Sequence, residues 1–289
     1  MTAHSAIRRP HGRTHAERLT SRDGYFAPES VIRRVGNSPL TPFLGGGPAT
    51  LLQVAHPLVA AGVVLHSDYR EDLWRRLGRT LRALYLITYG TREEADRAAE
   101  AVQAVHARVH GRIDVQLGCC PPGTRYSAAD PELMLWVHAT LIAASLTVYQ
   151  RFVRVLSTAE QERYYQEMAL VARLFGTPAA VIPCSLADFR DYFAAQLAGK
   201  AIVVTPPARE VAAVILEAPL PPPLRLLVPA HRLATAGLLP PRLRHEYGLH
   251  WTPLHALALP LAARSLRLTA APALIAASHL TPSPRELAA

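Results

Sequence analysis

The sequence predicts an all-α protein with a Pro-interrupted helical C-terminal part, and three observations carry the prediction. Half of the 289 residues are hydrophobic and 18% are charged, with Leu and Ala dominant, the makeup of a folded helical chain. Apolar residues recur three and four apart between recognisable capping signals. Apart from a brief run at residues 202–204, no stretch alternates as a half-buried strand would.

Residues 1–38 read as a flexible basic N-terminal segment. Pro39, Pro42 and Gly45-Gly46-Gly47-Pro48 then punctuate the approach to the first long helix, expected from about residue 49 to 66. That helix is almost wholly apolar, so it should be buried all round, and Pro57 should kink it. Asp68 or Asp72 can cap the next helix, whose Leu73, Leu77, Leu84 and Ile87 keep helical spacing until Gly90 ends it. Thr91-Arg92-Glu93-Glu94 is a capping box for a third helix reaching about residue 110. Its charged residues Glu93, Asp96, Arg97 and Glu100 fall on one side and Ala95, Ala99, Val102, His106 and Val109 on the other, so His106 faces inward. A Gly- and Pro-containing connection follows at 111–129. Asp130-Pro131-Glu132 then opens a helix carrying His138, with Asp as cap and Pro in the first turn. Ser157-Thr158-Ala159-Glu160 is a second capping box, and a helix near 186–197 completes the core, taken as residues 39–200. Beyond it, Pro206-Pro207, Pro219, Pro221-Pro222-Pro223, Pro240-Pro241 and Pro260 should break residues 201–280 into short helices packing on that core. Residues 281–289 read as a tail.

The net charge is +9, from 31 Lys plus Arg against 22 Asp plus Glu. The arginines are spread along the chain without an aromatic-interleaved stripe or a nucleic-acid-binding module, which argues against nucleic acid as partner. The basic, apolar C-terminal third reads first as packing and second as a peripheral membrane-surface or partner-binding element. Cys119, Cys120 and Cys184 form neither a disulfide framework nor a zinc or covalent-haem motif, and no apolar leader follows Arg8-Arg9. A cytoplasmic chain is the expectation.

His56, His66, His106 and His138 all sit inside apolar helical patterns. Burying an imidazole without a partner costs about 1 to 3 kcal/mol, so four together suggest a shared use such as a metal or a cofactor. The Glu-x-x-His pairs of a di-iron bundle and the His-Glu-x-x-His of a zinc protease are absent. Carboxylates are missing from the apolar helix faces, so a two-histidine, one-carboxylate site has no third ligand. A haem asks only for one axial histidine in an apolar pocket. Arg76 and Thr80, four apart on one helix face, suit either a solvated basic face or a pocket in which a guanidinium and a hydroxyl meet a propionate or bound oxygen.

Four strings carry a resemblance: Leu51-Leu52-Gln53-Val54-Ala55-His56-Pro57-Leu58-Val59-Ala60-Ala61-Gly62-Val63, His66-Ser67-Asp68-Tyr69-Arg70, Tyr126-Ser127-Ala128-Ala129-Asp130-Pro131-Glu132-Leu133 and Leu135-Trp136-Val137-His138-Ala139-Thr140-Leu141. Over about residues 40–200 the chain resembles the MpaB and latex-clearing-protein (rubber oxygenase) catalytic-domain family. The resemblance implies a globin-like helical core holding haem b, and an oxygenase that uses dioxygen on an apolar substrate, in characterised relatives the double bonds of isoprenoid chains. It implies His106 as the iron ligand, with Gln103 standing where the family's Arg-x-x-His motif has arginine. It also implies Arg76 and Thr80 as the family's Arg-x-x-x-Thr pair, Arg79 where rubber-cleaving relatives have lysine, and His138 as a histidine near the haem. His56 and His66 fall in the segment typical of smaller bacterial members and take no assigned role. The alternative from another class is a haem-binding sensor or carrier without catalysis.

Overall fold

A computed structural model of the protein describes residues 24–66, 73–217 and 222–278. Its centre is a pair of long helices, α2 (Leu40–Val54) and α6 (Pro131–Val148), packed along each other. Around them stand α1 (Val31–Gly36), α3 (Pro57–His66), α4 (Leu73–Tyr89), α5 (Arg92–Arg108), α7 (Thr158–Leu174) and α8 (Leu186–Ala198). The C-terminal helices α9 (Pro206–Glu217), α10 (Val228–Leu238), α11 (Pro241–Glu246) and α12 (Pro253–Ser278) follow; α9 and α10 close the second flank of α2, and α12 lies on the π-helical turn Tyr149–Val153 that ends α6. The chain is all-α, as the periodicity requires.

Local chemistry sets the helix starts. In both capping boxes the bonds are reciprocal: Glu94 N–H donates to Thr91 Oγ1 while Thr91 N–H donates to Glu94, and Ser157 and Glu160 repeat the exchange. The Asp130 carboxylate accepts from Glu132 and Leu133 N–H at 2.9 and 3.1 Å, with Pro131 in the first turn. At α1 the cap comes from elsewhere in the chain, as the Glu167 carboxylate takes the Val31 and Ile32 N–H groups.

The structure corrects the sequence reading at four places. The Gly45-Gly46-Gly47-Pro48 run lies inside α2 and does not precede it, because helices approach too closely there for side chains. A Cβ on Gly47 would stand 2.2 Å from Thr235 Oγ1 of α10, and one on Gly45 would touch Val148 of α6. The expected kink at Pro57 is a full break: α2 and α3 meet at 105°, and Pro57 begins the second helix. The only strands among the described residues are β1 (His110–Arg112) and β2 (Arg125–Ser127), an antiparallel ribbon within the stretch read as a plain connection. The 202–204 run forms no ladder; Val203 N–H donates to Ala55 O and Val204 N–H to the Glu246 carboxylate. Finally, α12 runs through Pro260 unbroken, held by Leu259 and Ala263, both buried on either side of the proline. Asp68 and Asp72, the expected caps of α4, lie outside the described residues.

Pro131–Val153 is long and apolar enough to cross a membrane, but two thirds of it is buried in the protein, as befits a core helix.

Candidate functional site

α4 and α5 are the arms of a helical hairpin turned by Gly90 and Thr91. The turn end is anchored in the core: Ile87 and Ala95 are fully buried and Ala99 nearly so. Behind it Arg33 of α1 donates to Thr88 O and lies over the Tyr89 ring. Toward the other end the arms emerge from the core, and Leu81 (40% exposed) and Val105 (48%) carry apolar surface into solvent. α3 finishes at the same place. A Cβ on Gly62 would stand 3.7 Å from Val109 just past α5, and Leu65 is 61% exposed.

His106 belongs to this open end. The face expected to turn inward does so, with Ala95 and Ala99 buried and Val102, His106 and Val109 half-buried. His106 Nδ1 is buried without a hydrogen-bond partner, and burial holds the ring below the ordinary histidine range. A neutral imidazole with unclaimed ring nitrogen is what a metal or haem iron binds.

The other candidate histidines are not brought together with it, and each has its own partner. His56 occupies the α2–α3 break and caps α3, its Nδ1 accepting from Leu58 N–H at 3.3 Å; burial pushes it down to about 4, against the pull of Asp130. His66, at the end of α3, shares a 2.9 Å hydrogen bond with the Tyr126 hydroxyl of β2. His138 is buried in α6, and its Nε2 donates to Met168 O of α7 at 2.7 Å, which places the proton on Nε2 and ties two core helices together.

Gln103 is also committed, its amide donating to Leu174 O at the end of α7 at 2.8 Å. Where the family motif has a cation, this chain has a tie between α5 and α7. Arg79 and Thr80 are exposed on α4, and the hairpin sets their stretch at the same end as His106. The Arg76 side chain lies outside the described residues.

One polar pair escaped the sequence reading. His231 and Thr235 of α10 are buried, and His231 Nε2 and Thr235 Oγ1 lack partners. Their isolation comes from the tight contact with Gly47, which leaves no space for a ligand; a Cβ there would also meet His231 Cε1 at 3.0 Å. Only the α2 glycines could have signalled it.

Among the described residues no three His, Cys, Asp or Glu side chains come together as a metal-binding set. Two open cavities, of about 390 and 470 Å³, lie away from His106, one beside Trp251 and the other beside Tyr25.

The protonation of His138 sets an acid limit on stability. Burial pushes its pKa from 6.5 down to about 4, so between these values the unfolded chain binds a proton that the native state refuses, and stability falls as pH falls through that window. The loss should reach about 3 kcal/mol from this group at the acid end, with His56 adding in the same direction. Urea midpoints measured across the window should fall steeply in the wild type. They should fall less in His138→Gln, which keeps a donor for Met168 O but does not titrate.

Fold and site together define a class: an all-α protein with a half-buried imidazole, its Nδ1 unpartnered, at the open end of a helical hairpin. The chain belongs to the family described as ER-bound oxygenase mpaB/B′/rubber oxygenase, catalytic domain, whose profile matches residues 33–270. It is similar to the uncharacterized proteins Mb2261 of Mycobacterium bovis and Rv2237 of Mycobacterium tuberculosis, each 29% identical over 210 residues, 70% of this chain and 78% of theirs. No solved structure matches it significantly. Membership makes the protein an enzyme of the oxygenase class, one that takes dioxygen and a small-molecule substrate.

Proposed function

We propose that the protein is a haem b-dependent oxygenase that cleaves a carbon–carbon double bond of an apolar, isoprenoid-like substrate, with His106 as the residue that would hold the iron. The observation that carries the cofactor assignment is the buried, unpartnered Nδ1 of His106, set apart from three histidines that already have partners. The residues present fit the group. A single imidazole suffices for haem, whereas metal sites built from several ligands have no donor set among the described residues. Leu65, Leu81 and Val105 supply exposed apolar surface at the same end of the hairpin, suited to a porphyrin or a hydrocarbon chain.

Bound haem would supply the iron that takes up dioxygen. The chain's own residues do the rest. Burial of His106 keeps its ring neutral and ready to ligate. The α4 stretch on which Arg76, Arg79 and Thr80 lie stands at the same end of the hairpin as His106, where guanidinium and hydroxyl groups would hold a carboxylate of the bound group. His138, by tying α6 to α7, and Gln103, by tying α5 to α7, hold the helices against which the His106 arm is positioned. The reaction balances without an added reductant: one double bond is broken, both atoms of one dioxygen enter the products, and two carbonyl groups form.

Haem-supplied protein mixed with a polyisoprenoid should consume one dioxygen per double bond cleaved and release carbonyl products that hydrazine reagents trap. Haem-loaded protein showing no oxygen uptake above the substrate-free rate would instead identify a sensor or carrier.

A further inference from the structure

The longest helix has two apolar faces and only one of them is packed. On the inner side of α12, Leu259 and Ala263 are 4% and 3% exposed and Leu266 packs on the main core cluster. On the outer side, Leu254, Leu257, Leu261 and Leu268 are 72, 66, 67 and 68% exposed. At about 100° per residue these four fall within one narrow stripe, diametrically opposite the buried residues. A helix of a water-soluble protein ordinarily turns charged residues outward there.

The charges beside the stripe indicate what covers it. Arg264 is exposed at the margin of the leucine row, and Arg267, about one turn further along and nearer the core, reaches Gln150 O. From Pro253 to Ser278 there is no Asp or Glu, and the whole chain carries +9. A second copy laid along this face would bring Arg264 against a surface with no acidic partner on either helix. An anionic bilayer offers both missing complements, acyl chains for the leucines and phosphates for the arginine.

We propose that the outer face of α12 docks on an anionic lipid bilayer, the helix lying along the boundary between headgroups and acyl chains with Leu254, Leu257, Leu261 and Leu268 inserted and Arg264 paired to lipid phosphate. This surface is formed by the fold and does not depend on the proposed chemistry.

Flotation of the full chain with vesicles tests it. The wild type should float with vesicles of phosphatidylcholine and phosphatidylglycerol and stay behind with pure phosphatidylcholine. Serine at all four leucine positions should lower the bound fraction about a hundredfold, and Arg264→Gln should lower it about fivefold. All four leucines are exposed, so the serine variant should keep the wild-type circular dichroism and melting curve. The proposal is overturned if the wild type does not float on anionic vesicles, or if the folded serine variant floats equally well. It is equally overturned if light scattering shows a dimer that the serine variant abolishes while neither protein floats, because a second copy would then cover the face.

Discussion

His106→Ala should give a folded protein that holds no haem. The side chain is half-buried at the emerging end of α5 and makes no hydrogen bond to the rest of the chain through Nδ1, so its truncation should cost no more than about 1 kcal/mol of stability. The effect on the proposed chemistry should be complete, since His106 is the half-buried histidine of the α5 apolar face, whereas His56, His66 and His138 are bonded elsewhere, His231 is shut against Gly47, and His110, His245 and His250 are exposed outside any apolar helix face. Oxygen uptake should vanish with the cofactor. His138→Ala should behave differently, losing stability through the broken tie to Met168 O while the remaining folded protein keeps haem. Because burial already lowers the His106 pKa, haem should also stay bound to a pH below the ordinary histidine range; ligation is lost only when protons compete for the ring, and the protein has made that competition weaker.

Gly47→Val should unfold the protein or nearly so. A Cβ at this position would stand 2.2 Å from Thr235 Oγ1, which is fully buried, and the two further methyl groups of valine would meet the same wall of α10. Relief requires α2 and α10 to separate, and α2 is the helix on which α6, α9 and α10 all pack. The cost should exceed about 3 kcal/mol, a large part of the 5 to 15 kcal/mol by which a domain is stable. Gly46, its neighbour in the same helix, has nothing within 4 Å of a Cβ, so Gly46→Ala should raise stability by about 0.5 to 1 kcal/mol through helix propensity. Thermal melts of the pair separate a helix-contact effect from a helix-propensity effect.

These two glycines show where the sequence was legible. The caps at Thr91, Asp130 and Ser157 could be read because a cap is settled by residues two or three positions away, and all three form the expected bonds. The glycine run could not, because what keeps it helical is Thr235 and His231, distant in the chain and adjacent only after folding. Pro260 is overruled for the same reason, since burial of Leu259 and Ala263 outweighs a local breaker. For the site, periodicity placed His106 on an inward face, but the same periodicity made His56, His66 and His138 look equivalent to it. What distinguishes them is a partner on another element, the Tyr126 hydroxyl or the Met168 carbonyl, and in the case of His56 a full helix break at Pro57 where the sequence predicts only a kink. Gln103 looked like a lost cation beside a ligand; its amide instead reaches the end of α7.

The central claim is that this helical core holds haem through His106. It is tested most directly by the absorption spectrum of the purified full-length protein expressed with haem supplied. A Soret band that disappears in His106→Ala and persists in His138→Ala is the result expected. A wild-type protein without that band, or a band that survives His106→Ala and is lost in His138→Ala, would contradict the account.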